Sequence, residues 1–185
     1  MSEQNRRSWK SRVLAGATAA TFAVAGLASL GATPAEAAGK TTKGTQVETS
    51  RSDNCKSYGD RTAKRLGNGT CFLDDDADDT YFQVDSGGKA AKLEIFKGST
   101  LVGKVEFHPA GEHLWVYDTA NDHDTIYVQR DGGKEIYQPP QTSRKWDYKD
   151  FDLSGAEGKS YKYNVYDRKD GQKLSGFIGS LKGVA

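Results

Sequence analysis

Apolar and polar residues alternate through the middle of this chain in five short runs, 80–85, 91–97, 101–108, 113–118 and 125–129, spaced by about ten residues. Each run stops at a turn signal. Ser86-Gly87-Gly88, Gly98-Ser99-Thr100, Pro109-Ala110-Gly111 and Asp131-Gly132-Gly133 put Gly or Pro where the backbone must reverse. Phe82 and Val84, Leu93 and Ile95, Val105 and Phe107, Leu114 and Val116, and Ile126 and Val128 share the buried side of their strands. Lys92, Glu94, Lys104, Glu106 and Gln129 fall on the other side and are expected to face water. The pattern pauses at Pro139-Pro140, which cannot sit inside a sheet, and passes Trp146, Tyr148 and Phe151 in a charged segment. It resumes over 161–166 and 174–178 around an Asp170-Gly171 turn. No stretch has the period of a long helix. The pattern therefore predicts an all-β fold, an antiparallel two-layer β-sandwich of about eight strands, with a closed β-barrel as the alternative.

The ends of the chain read differently. Arg6, Arg7, Lys10 and Arg12 precede an uncharged run from Val13 to Leu30, and Ala35-Glu36-Ala37 supplies a small-x-small cleavage site. Residues 1–37 are therefore expected to be a bacterial-type export signal and the protein to be secreted, with no membrane span after cleavage. Residues 38–53 are mostly Thr, Ser, Gly, Lys and Gln, with almost nothing apolar except Val47. Such a composition does not offset its own ordering entropy and predicts a flexible arm. Its core, Thr45, Gln46, Val47, Glu48 and Thr49, is extended in preference and carries one apolar residue, which suits docking onto a partner's sheet edge. Residues 54–185 make up the single β domain.

Composition narrows the chemistry. Loss of the signal takes the formal charge from +1 to about −1, which leaves no electrostatic footprint for nucleic acid or an anionic membrane. Cys55 and Cys71 are the only cysteines, and in an oxidising compartment they predict one disulfide, worth roughly 3 kcal/mol by chain entropy. The run Asp74-Asp75-Asp76-Ala77-Asp78-Asp79 offers oxygen ligands to a hard cation. Asp74, Asp76 and Asp78 with Asp85 match ligand positions of a calcium loop, although Asp79 stands where the sharp turn wants Gly. Calcium is the cofactor such a loop would take; nothing else in the chain requires one. A solvated acidic loop explains the same residues.

No catalytic constellation stands out. None of the histidines of the mature chain sits beside a Gly-x-Ser-x-Gly elbow, and the thiols are expected to be paired. His108 and His113 flank Pro109-Ala110-Gly111-Glu112, so a hairpin would set them face to face near Glu106 or Glu112, a set suited to zinc or copper. Asp118, Asn121, Asp122, His123 and Asp124 form a second oxygen-rich turn, which Asx turns explain more simply. The aromatic residues are the better lead. Trp115, Tyr117 and Tyr127 lie opposite the core residues of their strands, with Trp146 and Tyr148 in the segment that follows, and together they predict a recognition surface. The expectation is a secreted, non-enzymatic binding domain whose partner is an extracellular protein, as inhibitor, adaptor or subunit. A carbohydrate-binding module and a calcium-stabilised structural protein are the alternatives.

Overall fold

Alternation with period two forces one side of each run into a core and the other outward, and the strands form where it was read. The computed structural model describes residues 39–50, 55–76, 78–120, 122 and 124–185; the expected export signal lies outside them. Thirteen strands follow in order: β1 (Lys40–Glu48), β2 (Ser57–Gly59), β3 (Ala63–Arg65), β4 (Cys71–Leu73), β5 (Thr80–Phe82), β6 (Lys89–Lys97) and β7 (Thr100–His108). Then come β8 (His113–Asp118), β9 (Tyr127–Arg130), β10 (Ile136–Tyr137), β11 (Asp147–Asp152), β12 (Ser160–Asp170) and β13 (Lys173–Val184). The described residues contain no helix, and so none long and apolar enough to cross a membrane. The strands beyond the expected eight are mostly two- or three-residue pieces, too short to show a period.

All observed strand pairs are antiparallel. The main sheet runs β10-β9-β12-β13-β6-β7-β8-β11, with β1 along the free side of β6 and β2 on β1. It curls into a nearly closed, barrel-like wall. On one seam Val184 of β13 bridges Lys89 of β6, and on the other the rings of Tyr137 (β10) and Phe151 (β11) meet edge to face at 5.0 Å. The expected two layers are thus the two limbs of one curled sheet. Register sets the core: Leu93 pairs with Val105, which pairs with Val116, and Phe107 pairs with Leu114. These side chains pack against Val128, Tyr161, Tyr163 and Val165 from the opposite limb. Each fully buried aliphatic or Phe side chain contributes about 1.5–3 kcal/mol relative to exposure. Gly183 admits this packing, because a Cβ there would lie 2.1 Å from the Phe107 ring.

A second, smaller sheet, β3-β4-β5, has a core of its own made with the outer sides of β1 and β6: Val47, Cys55, Cys71, Leu73, Phe82 and Ala90. Two sequence expectations change here. Phe82, assigned by alternation to the main core, belongs to this second one. Residues 40–48, expected within a flexible arm over 38–53, form β1 and pair with β6 from Lys40↔Lys97 to Glu48↔Lys89. Thr45, Val47 and Thr49 are buried. A polar strand of this kind gains order from a neighbour's backbone and from alternate side chains entering a core, neither of which composition reports.

The Cys55–Cys71 disulfide forms as expected, with a sequence separation of 16, and lies inside the second core. Breaking it opens the loop and exposes that small core together. Cys55→Ser is expected to lower stability by about 2–5 kcal/mol, read as a shift of the urea midpoint of the oxidised protein.

Candidate functional site

The outer side of β6 and β7 was expected to face water. Instead the second sheet and the acidic loop before β5 cover it, and Lys92, Glu94, Lys104 and Glu106 are almost fully buried. Buried charges persist only when paired and hydrogen-bonded, and here they are. Lys92 Nζ touches Asp75 Oδ2, donates to Thr80 Oγ1 at 2.8 Å and lies 3.8 Å from Glu106 Oε1. Lys104 Nζ touches Asp78 Oδ1, sits 3.0 Å from Glu106 Oε1 and 3.5 Å from Asp75 Oδ2, and caps the Tyr117 ring at 4.3 Å. His108 Nε2 is 3.0 Å from Glu106 Oε2. Arg61 grips Glu94 with Nε at 2.5 Å and Nη2 at 2.7 Å. Burial by itself would raise the Glu106 carboxyl, but the His108 hydrogen bond and the charges of Lys104, His108 and Lys92 outweigh it and hold it at about 2. Burial pushes the Lys92 ammonium down to about 7, against the pull of Glu106.

This network draws the carboxylates of the proposed calcium loop apart. Asp76 Oδ2 pairs with Arg61 at 2.9 Å, Asp78 with Lys104, while Asp74 is exposed and its backbone carbonyl accepts from Arg61. Asp85 sits beyond β5, in the turn closed by the Gly88 N–H. Asp79 adopts a φ of 59°, the conformation for which Gly is preferred. Among the described residues no group of three or more His, Cys, Asp or Glu side chains is placed to hold a metal ion.

Beside the network, where β5 meets the outer face of β7, β8 and β11, lies a recess of about 220 Å3. Tyr81, Gln83, His108, Ala110, His113, Trp115 and Asp150 line it. Strand register explains the convergence: His108 pairs with His113, Glu106 with Trp115 and Trp115 with Asp150, so alternate residues of three strands point outward together. The two histidines do face each other across the hairpin. Each takes a different carboxylate, His108 taking Glu106 and His113 taking Asp150 with Nδ1 at 2.7 Å. Trp115 Nε1 is buried and has no hydrogen-bond partner in the protein.

The expected recognition residues divide. Trp115 walls the recess with His108 against its ring at 4.1 Å; Tyr117 is buried under Lys104 and stacked on Tyr148 at 5.4 Å. Burial raises the Tyr117 phenol well above its ordinary pKa. Tyr148 stays 60% exposed, two residues from Asp150 on the same face, and Trp146 is 37% exposed. Tyr127 lies apart on β9 beneath Lys169. Sequence reasoning passed over Tyr81, 51% exposed, and Gln83 and Asp150. Their signal was available: Tyr81 and Gln83 are the outward positions that alternate with Phe82, and Asp150 follows Tyr148 by two.

The second oxygen-rich turn resolves largely into Asx turns. Asp118 Oδ1 accepts from the Ala120 N–H and Asp122 Oδ1 from the Asp124 N–H, and Asp124 also takes the Lys40 ammonium at 2.8 Å. Asn121 and His123 lie outside the described residues. Asp118, with Asp124 and Asp147, lines a cavity of about 230 Å3; burial and the charges of Asp122, Asp147 and Asp124 raise its carboxyl to about 6. Thr45, Gln46, Val47, Glu48 and Thr49, the expected docking segment, are consumed by β1 and its immediate exit, with Gln46 Nε2 donating to the Lys182 carbonyl. No family model matches this chain, and no curated protein or solved structure matches it significantly.

Proposed function

We propose that this chain is a secreted, non-enzymatic binding domain that engages an extracellular protein at the recess between Tyr81 and Trp115. The carrying observation is the buried, unpartnered Trp115 Nε1 on the wall of a recess flanked by the exposed Tyr81 and Tyr148. That donor is closed to solvent in the free domain, so an acceptor satisfies it only where binding shifts the side chains that cover it; exposed Tyr around a desolvated centre is the composition of interface hot spots. A protein partner is favoured over a glycan because the central rings already have a face occupied, Trp115 by His108 and Tyr117 by Lys104, which leaves only Tyr81 and Tyr148 exposed at the rim. The His113–Asp150 pair has no Ser, Thr or Cys among the described residues lining the recess, which supports binding over acyl-transfer chemistry. The export-type N-terminus motivates the compartment.

The test uses immobilised protein and culture fluid. A stoichiometric protein complex is expected with the wild type. It should weaken by about tenfold or more in Tyr81→Ala/Tyr148→Ala, whose exposed side chains leave the melting temperature nearly unchanged. Equal capture by both proteins would exclude this site, and retention on a polysaccharide with release by soluble sugar would replace the protein partner with a glycan.

A further inference from the structure

Among the described residues the three closest Lys–Asp pairs are Lys40 with Asp167, Lys104 with Asp78 and Lys92 with Asp75. Lys92 with Asp75 is the most completely sealed of the three, ahead of Lys40 with Asp167 at 5% and 9%. The Lys92 and Asp75 side chains are 1% and 0% exposed, whereas Asp78 keeps 38% and the Lys40 ammonium is shared with Asp124, which keeps 43%. The sealed pair also has neighbours suited to proton transfer. Thr80 Oγ1 is 2.8 Å from Lys92 Nζ, 2.9 Å from Asp75 Oδ2 and 2.8 Å from Glu106 Oε1, so one hydroxyl spans the amine, the acid it touches and a second buried carboxylate.

We propose that Lys92 and Asp75 condense into an intramolecular isopeptide bond, with Thr80 and Glu106 relaying the proton, so that the acidic loop is tied covalently to β6.

In water an ammonium and a carboxylate do not condense, because solvation favours the charged pair. Burial removes that solvation, and contact between the groups replaces a bimolecular encounter. With burial holding Lys92 near 7, the neutral amine that must act as nucleophile is populated at neutral pH. The Lys92 ammonium passes one proton to the Asp75 carboxylate, giving amine and carboxylic acid. The Nζ lone pair then attacks Cγ, forming the N–C bond. The proton shed by Nζ goes to Glu106 through the Thr80 hydroxyl and returns to the departing hydroxyl as the Cγ–O bond breaks. One amide and one water result, Glu106 is again a carboxylate, and no oxidant or other reactant is consumed.

The position makes mechanical sense. The disulfide fastens Cys55 to β4, and this bond would fasten the loop after β4 to β6. The segment that carries β3 and β4 would then be held at both ends.

Mass spectrometry of the reduced, full-length chain decides the matter. Tryptic mapping should yield a branched peptide one water lighter than its two parts, joining Asp75 to an uncleaved Lys92. Lys92→Arg keeps the charge but has no nucleophilic amine, and should return the linear peptides at full mass; Glu106→Gln should leave a large unlinked fraction after refolding. Wild-type chain cleaved normally after Lys92 at full mass overturns the proposal, whether or not the variants fold. So does a water loss confined to a linear peptide, which would mark an aspartyl succinimide.

Discussion

Deletion of residues 39–50 is expected to abolish the cooperative unfolding transition of the domain. The deletion removes β1, which pairs with β6 over nine residues, and strips Val47 from the second core, where it is fully buried. The side chain alone is worth about 2–4 kcal/mol with its cavity. The ladder adds about 0.5–1.5 kcal/mol per hydrogen bond, so the total rivals the roughly 5–15 kcal/mol that holds a domain of this size. Thr49 adds a further loss, since its N–H and hydroxyl both donate to the Gly88 carbonyl and its own carbonyl accepts from Asp85. Loss of the near-ultraviolet circular dichroism signal and of a sigmoidal melt would confirm the role of β1. An unchanged melting temperature would return the segment to the docking arm its composition suggests.

Glu106→Ala is expected to cost about 3–5 kcal/mol, because it takes from the buried Lys104 ammonium a partner that is itself buried. Glu106 is the junction of that layer, within 4 Å of Lys92, Lys104, His108 and Thr80, with Asp75 and Asp78 reaching the same lysines. The same residue sets a pH dependence. Its folded carboxyl stands at about 2 against an ordinary 4.5. Above pH 4.5 both folded and unfolded chains carry the charge and the contribution is complete. As pH falls from there toward 2 the unfolded chain takes up the proton first, so stability is lost across that window, about 3 kcal/mol in all. Urea midpoints of wild type and Glu106→Ala should therefore converge as the pH is lowered toward 2. A constant gap between them would mean that Glu106 acts by packing alone.

The strands of the meander were legible because their signal is local. In β7 and β8 the residues that alternate inward, Val105, Phe107, Leu114 and Val116, are all found at zero exposure. The hairpin that sets His108 opposite His113 was legible for the same reason: Pro109-Ala110-Gly111 can hardly do anything but turn. The recess was legible by half. Trp115 and Tyr148 announced themselves as outward aromatics, but Tyr81 and Gln83 reach the recess from β5, which belongs to a different sheet.

The amino-acid sequence by itself determined the antiparallel all-β class, the inward face of β6 to β9 and the pairing of the two cysteines, since each depends on period, turn chemistry or simple count. Only the tertiary structure decided that β1 is a strand, that the main sheet nearly closes, and that Lys92, Glu94, Lys104 and Glu106 are inside. The physical reason is the same in each case. A period-two pattern tells which residues share a face but not what that face meets; a charged face reads as solvated until another layer, bearing the opposite charges of Arg61, Asp75 and Asp78, is laid over it.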